Sequence, residues 1–202
     1  MTRLFSGVAL VVFGAIVATC MQRKDSKMLE LPADIKEYLS AGDGLGRKAA
    51  EANHPGLQKK LESAETRAAI LKYLASDDPW HESNPGIVIN ALGLIQKGAS
   101  ASEIPLVRPL VLHPEGMVRL GAYDFLFAVY YPAGDRASMI NLLQSMLLDS
   151  HDMVRSQAAQ YVKGLKVPAE LKPFLERWIK LAPARGWQKQ ESFELIERLL
   201  KP

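Results

Sequence analysis

The tripeptide Met-Val-Arg occurs twice, at Met117-Val118-Arg119 and at Met153-Val154-Arg155, 36 positions apart. Sliding the chain by 36 brings much more into coincidence: Ile104 falls on Ile140, Leu106 on Leu142, Val107 on Leu143, Leu110 on Met146, Val111 on Leu147, Leu112 on Leu148 and Ala122 on Ala158. Apolar positions are kept and polar ones vary, as expected when each unit buries the same face against a neighbour. The register extends outward with other spacings. A shift of 31 places Ile87 on Val118, Ala91 on Ala122 and Leu94-Ile95 on Phe125-Leu126. A shift of 32 places Leu142-Leu143 on Phe174-Leu175, and a shift of 34 places Ala158 on Ser192 and Val162 on Ile196. The outermost matches are the weakest, which suits units that cap a stack.

Within this frame the pattern is helical. Leu57, Leu61, Ala64, Ala68 and Leu71 alternate spacings of four and three, one face of a helix. The segment SDDPWHESNPG interrupts it with two prolines and a glycine. Ile87, Ala91, Leu94 and Ile95 begin a second face, Gly98 ends it, and Ser100 with Glu103 offers a capping box. Further helices are expected near 102–112, 116–130, 135–149, 152–164, 168–182 and 186–200. No stretch alternates with period two long enough for a strand. Residues 55–202 thus read as an all-α domain of about four antiparallel helix pairs joined by short turns. Residues 22–54 read as a polar linker with a short helix over 32–39. The glycines of AGDGLGRK, residues 41–48, mark a turn, because no strand precedes them and the phosphate-loop spacing is missing.

The stretch Leu148-Asp149-Ser150-His151-Asp152-Met153-Val154-Arg155, followed by Ala158, resembles a HEAT repeat of the bacterial, lyase-associated type. The resemblance implies a short right-handed α-solenoid. It also implies a ladder between units, made by an aspartate near each turn and an arginine early in each second helix. Asp149 and Arg155 match these positions, and Arg119 matches the arginine one unit earlier. His113 stands where that unit's aspartate would be, and Val88 replaces the arginine of the first unit. Pro109 and Pro173 fit first helices kinked by proline, since proline lacks the backbone donor and clashes with the preceding turn.

Chemistry is harder to find. The four histidines, His54, His81, His113 and His151, read as turn and capping residues, and Asp77 to Glu82 (DDPWHE) as a solvated acidic loop rather than a metal site. No nucleophile elbow, metalloprotease helix or dinucleotide fingerprint is present. We therefore expect no catalytic residue, metal or cofactor. Arg119 and Arg155 could grip a carboxylate or phosphate, but the ladder already accounts for them. The helix from Gly116 carries a core stripe of Val118, Ala122, Phe125 and Val129, and a second stripe of Leu120, Tyr123, Phe127 and Tyr130. The equivalents of Leu120, Tyr123 and Phe127 in the next unit are Ser156, Ala159 and Lys163. A central helix that is apolar all round is usually packed on both sides. If the concave face binds a partner, Tyr123, Phe127 and Tyr130 are the expected contacts.

The net charge of +3, with both signs mixed, is too weak a bias to argue for nucleic acid or an acidic substrate, and no nucleic-acid partner is expected. These features together point to a non-catalytic scaffold for a protein or peptide partner. The rivals are a HEAT-like enzyme, of bilin-lyase or DNA-glycosylase kind, and a purely structural envelope protein. The setting comes from residues 1–21. Arg3 precedes an uncharged run over 4–21 that ends beside the chain's single cysteine, Cys20. Val17-Ala18-Thr19-Cys20 resembles a bacterial lipobox, with Thr19 in place of the usual small residue. An uncleaved membrane anchor and ordinary cleavage near the same point are the alternatives. Each places the protein at, or across, a bacterial cell envelope. Lipidation predicts that mass spectrometry of membrane-extracted protein finds a diacylated Cys20 at a new amino terminus. An intact Met1 would show the anchor instead.

Overall fold

The computed structural model describes residues 31–42 and 44–201. The lipobox-like run and Cys20 lie outside the described residues. Among the described residues there are helices and no strands, and no helix is long and apolar enough to cross a membrane. The order is α1 (Ala33–Ser40), α2 (Gly44–Asn53), α3 (Leu57–Leu61), α4 (Ala64–Leu74), α5 (Asp78–His81), α6 (Pro85–Gln96), α7 (Ile104–Val107), α8 (Gly116–Ala133), α9 (Arg136–Leu147), α10 (Asp152–Gly164), α11 (Lys172–Leu181) and α12 (Glu191–Leu200). Short 3-10 turns at Ala101–Glu103, Arg108–Leu112 and Pro183–Arg185 complete the path.

The packing follows the sequence repeat. Helices α1, α6, α8, α10 and α12 form a row in which each packs on the one before. Small residues recur where they cross: Ala91, Ala122, Ala158 and Ser192 share one repeat position, and all four are buried. A small side chain there lets the backbones approach while larger neighbours fill the flanks. Val118 and Val154, from the duplicated tripeptide, are both fully buried beside them. Outside the row, α4 packs on α6, the 3-10 turn Arg108–Leu112 on α8, α9 on both α8 and α10, and α11 on α12. One continuous core results, with Leu110, Phe125, Leu143, Leu175 and Trp178 at its centre. The indole N–H of Trp178 donates to the Leu147 carbonyl at 2.7 Å, which satisfies a polar tip inside that core.

Several local expectations give way to packing. Residues 31–54 are not a free linker. Leu31, Ile35 and Leu39 are buried, and α1 lies on the face of α6 that has no earlier unit to cover it. Asn90 fastens it by donating to the Leu39 carbonyl at 2.7 Å and accepting from Arg47 Nη2 at 2.7 Å. The glycines at 44 and 46 sit inside α2 rather than in a turn. The first helix breaks after Leu61, because Ser63 caps α4 by accepting from the Thr66 N–H at 3.1 Å. Around Pro109 the helix expected over 102–112 tightens into a 3-10 turn at Arg108–Leu112. Pro173 does not kink its helix. It lies in the first turn of α11, where the missing N–H would have had no intrahelical partner.

The exit from α10 is strained. Lys166 and Val167 have φ values of 55° and 49°, a left-handed conformation that costs L-residues about 1 kcal/mol or more each. Lys166 is exposed, so Lys166→Gly should relieve the strain at no cost in packing. Thermal unfolding is expected to shift upward by about 2–4 °C for a chain of this size. A decrease would show that the turn does not hold this conformation.

Candidate functional site

The repeated arginines sit at the turns. Arg119, near the start of α8, grips Asp149 in the next turn with two hydrogen bonds, Nε to Oδ2 at 2.8 Å and Nη2 to Oδ1 at 2.6 Å. Its Nη1 donates to the His113 and Pro114 carbonyls of its own turn at 2.8 and 2.9 Å. Burial pushes the Asp149 carboxyl up, but the Arg119 hydrogen bonds, the His151 N–H and the nearby positive charge outweigh it and hold the carboxyl below its ordinary value. Arg155 repeats the geometry one unit on. It donates to the Asp149 carbonyl of its own turn and, through Nε and Nη2 at 3.0 and 2.7 Å, to Gln190 Oε1 in the following turn. Here an amide oxygen replaces the carboxylate, and the Trp187 ring lies 4.4 Å from the guanidinium carbon.

The earlier departures from the pattern compensate each other. With Val88 in place of an arginine, the preceding unit sends no donor toward the turn. His113 supplies one in the reverse direction. Its Nδ1 accepts from the Glu115 N–H at 3.1 Å, which assigns the proton to Nε2, and Nε2 donates to the Pro79 carbonyl at 3.1 Å. Asp149 accepts from the N–H two residues on in the same way, from His151 at 2.8 Å. A fourth clamp was not legible in the repeat. Arg67 of α4 binds Glu103 through Nε and Nη2 at 2.8 and 2.7 Å and caps the Lys97 and Gly98 carbonyls at 3.0 and 3.1 Å. Glu103 also accepts from the Ser100 N–H at 2.9 Å, as its place in a capping box requires.

The aromatic stripe divides. Tyr123 and Tyr130 are buried, each only 6% exposed, so they offer little surface to the partner contact expected of them. The reason is that α8 is packed by α6, α7, the 3-10 turn, α9 and α10, so both stripes meet protein. Tyr130 accepts from Arg108 Nη2 at 2.7 Å. Phe127 is different. Its ring stacks 3.8 Å from that of Tyr161 of α10 at an interplanar angle of 5°, and 5.5 Å from that of Tyr131 at 8°. Tyr131 is 58% exposed. The Tyr161 hydroxyl donates to Asp124 Oδ1 at 2.7 Å. Burial pushes the Asp124 carboxyl up despite this hydrogen bond, and burial together with the Asp124 charge pushes the Tyr161 hydroxyl up.

The candidate site is therefore the face shared by α8 and α10: Tyr131, Phe127 and Tyr161 as a stacked strip, with Asp124 at its inner end. Tyr161 occupies the repeat position of the core residue Phe125. Its hydroxyl was the available signal, since a polar tip at a core position needs a partner. Elsewhere, an open cavity of about 690 Å³ lies between α1, α3, α4 and α6, lined by Tyr38, Leu61, Arg67, Ile70 and Leu94. Arg67 is engaged with Glu103 and the Lys97 and Gly98 carbonyls, and Gln58, Glu62, Ser63 and Lys97 also line the cavity, so it is an open hollow of mixed polarity. Among the described residues, no three His, Cys, Asp or Glu side chains are placed to hold a metal. No family model matches the chain, and neither a curated protein nor a solved structure is significantly similar to it.

Arg119→Ala is expected to lower stability by about 2–3 kcal/mol in urea titrations, because Asp149 would be left shielded from water without its cation. The pH dependence has a fixed sign. Asp149 is depressed in the fold, so its contribution is present above about pH 4, the ordinary carboxylate value, and is lost as the pH falls through the folded value. Arg119→Ala should therefore flatten the acid limb of the stability curve. An unchanged limb would show that the pair is not formed.

Proposed function

We propose that this chain is a short right-handed α-solenoid of HEAT-like helix pairs that serves as a non-catalytic scaffold. It binds an extended or helical segment of a protein partner on the α8–α10 face. The row of helices α1, α6, α8, α10 and α12, with the recurring turn clamps, supports the solenoid reading. Residues 4–21 support a place at the bacterial cell envelope, through lipidated Cys20 or an anchor.

The observation that carries the binding reading is the strip Tyr131–Phe127–Tyr161. Stacked rings of this kind give a large, rigid apolar surface at low entropic cost, and a hydroxyl-held carboxylate beside them adds a polar mark. A photo-crosslinking residue at Tyr131, in cells of the native host, should yield a discrete protein adduct. The same residue at exposed Glu176 of α11 should not. The captured protein, once purified, should bind Tyr131→Ala about tenfold more weakly than the original chain. Equal adducts from both positions, or none, would overturn the reading.

One rival has an observation behind it. Asp124 lies beside aromatic rings with its carboxyl raised, as a hydrolytic enzyme acting on an extruded base would need. Against this, the Tyr161 hydroxyl already holds Asp124, and the net charge of +3 offers little attraction for phosphates. DNA binding at low salt together with base release, both lost in Asp124→Asn, would favour the rival.

A further inference from the structure

The four turns that precede α6, α8, α10 and α12 are chained to one another by the contacts described above. The Pro79 carbonyl meets His113, whose ring centroid lies 5.1 Å from that of Trp80. The turn holding His113 meets Asp149 through Arg119, and the turn holding Asp149 meets Gln190 through Arg155. The turns therefore form one continuous edge. That edge is unusually apolar. Of the seven large hydrophobic side chains that are exposed among the described residues, five lie on it: Trp80, Leu112, Leu148, Met153 and Leu181, from 37% exposed at Trp80 to 77% at Leu112. Leu112 and Leu148 occupy the same repeat position, at the end of the helix that enters the turn. Neither is needed for the core, and a leucine left in water at two consecutive units is a feature of the surface.

The charge along this edge is polarised. The first turn carries Asp77, Asp78 and Glu82 with no lysine or arginine between 76 and 84; Asp77 is exposed, while Glu82 pairs with Lys36 at 3.5 Å and accepts from the Asn84 N–H at 3.2 Å. The last turn carries Lys180, Arg185 and Lys189 with no acid between 180 and 190. The edge is thus acidic at one end and basic at the other, and its two middle turns expose Leu112, Leu148 and Met153 beside Glu115 and Asp152. Such a surface is complementary to itself when turned end for end, the requirement of a two-fold interface. A bilayer would not suit it, since the three acids would meet lipid headgroups.

We propose that the turn edge is the interface of a two-fold homodimer. The axis passes between the second and third turns. Leu112 of one copy packs against Leu148 and Met153 of the second, and Trp80 against Leu181. Asp77, the exposed acid of the first turn, faces Lys189 of the last turn at both ends. The interface leaves the α8–α10 face free, so it stands independently of the partner-binding reading.

Sedimentation velocity of the full chain in detergent, from about 1 to 100 µM, tests this. The expected result is a concentration-dependent dimer. Leu112→Asp with Leu148→Asp should abolish it without shifting thermal unfolding, since both side chains are exposed. Asp77→Lys and Lys189→Glu should each weaken dimerisation about tenfold, and the double substitution should restore it. A monomer at every concentration would overturn the proposal. So would a dimer indifferent to the two leucine substitutions, which would place the contact elsewhere, or a double reversal that fails to restore association.

Discussion

No helix among the described residues can hide its apolar surface alone, and the rest of the structure follows from that shortage. Helix α8 shows it most clearly. Val118, Ala122, Phe125, Leu126 and Val129 are all buried, yet they point toward different neighbours, α6 on one side and α9 and α10 on the other. Burial is thus shared along the row of helices α1, α6, α8, α10 and α12. The end of the row needs a substitute, and α1 provides one by covering α6 with Ile35 and Leu39.

Hydrophobic contact alone would let the units slide or rotate, because apolar packing has little direction. The turn clamps supply direction. A guanidinium that caps one or two carbonyls of its own turn and reaches one acceptor in the next, as Arg119 and Arg155 do, fixes both the helix start and the spacing between neighbouring turns. The clamp tolerates changes in chemistry while its geometry persists: carboxylate at Asp149, amide at Gln190, and a reversed donor at His113. Beside these polar links, Leu112, Leu148 and Met153 stand exposed at the same turns.

The helical class and the repeated arginines Arg119 and Arg155 were legible because they depend on periodicity, which one sequence displays; the pairing role of Asp149 came from the resemblance to a HEAT repeat. What failed depended on contacts that periodicity does not encode. Residues 31–54 carry too few apolar side chains to signal a packed pair, and the glycines at 44 and 46 point to a turn when no covering surface is in view. Tyr123 and Tyr130 looked available because their stripe is aromatic, but whether a second stripe meets solvent depends on how many neighbours surround the helix. Tyr161 and Asp124 were hidden for the opposite reason: each is ordinary at its own position and becomes a site only by meeting across α8 and α10.

Shared burial has a signature in amide hydrogen exchange. Mass-spectrometric exchange on the full chain should find the slowest amides in α8 and α10, around Phe125 and Ala158, with protection falling toward α1 on one side and α12 on the other. Exchange in α8 as fast as in α1, or protection equal in every helix, would contradict the dependence of each unit on its neighbours.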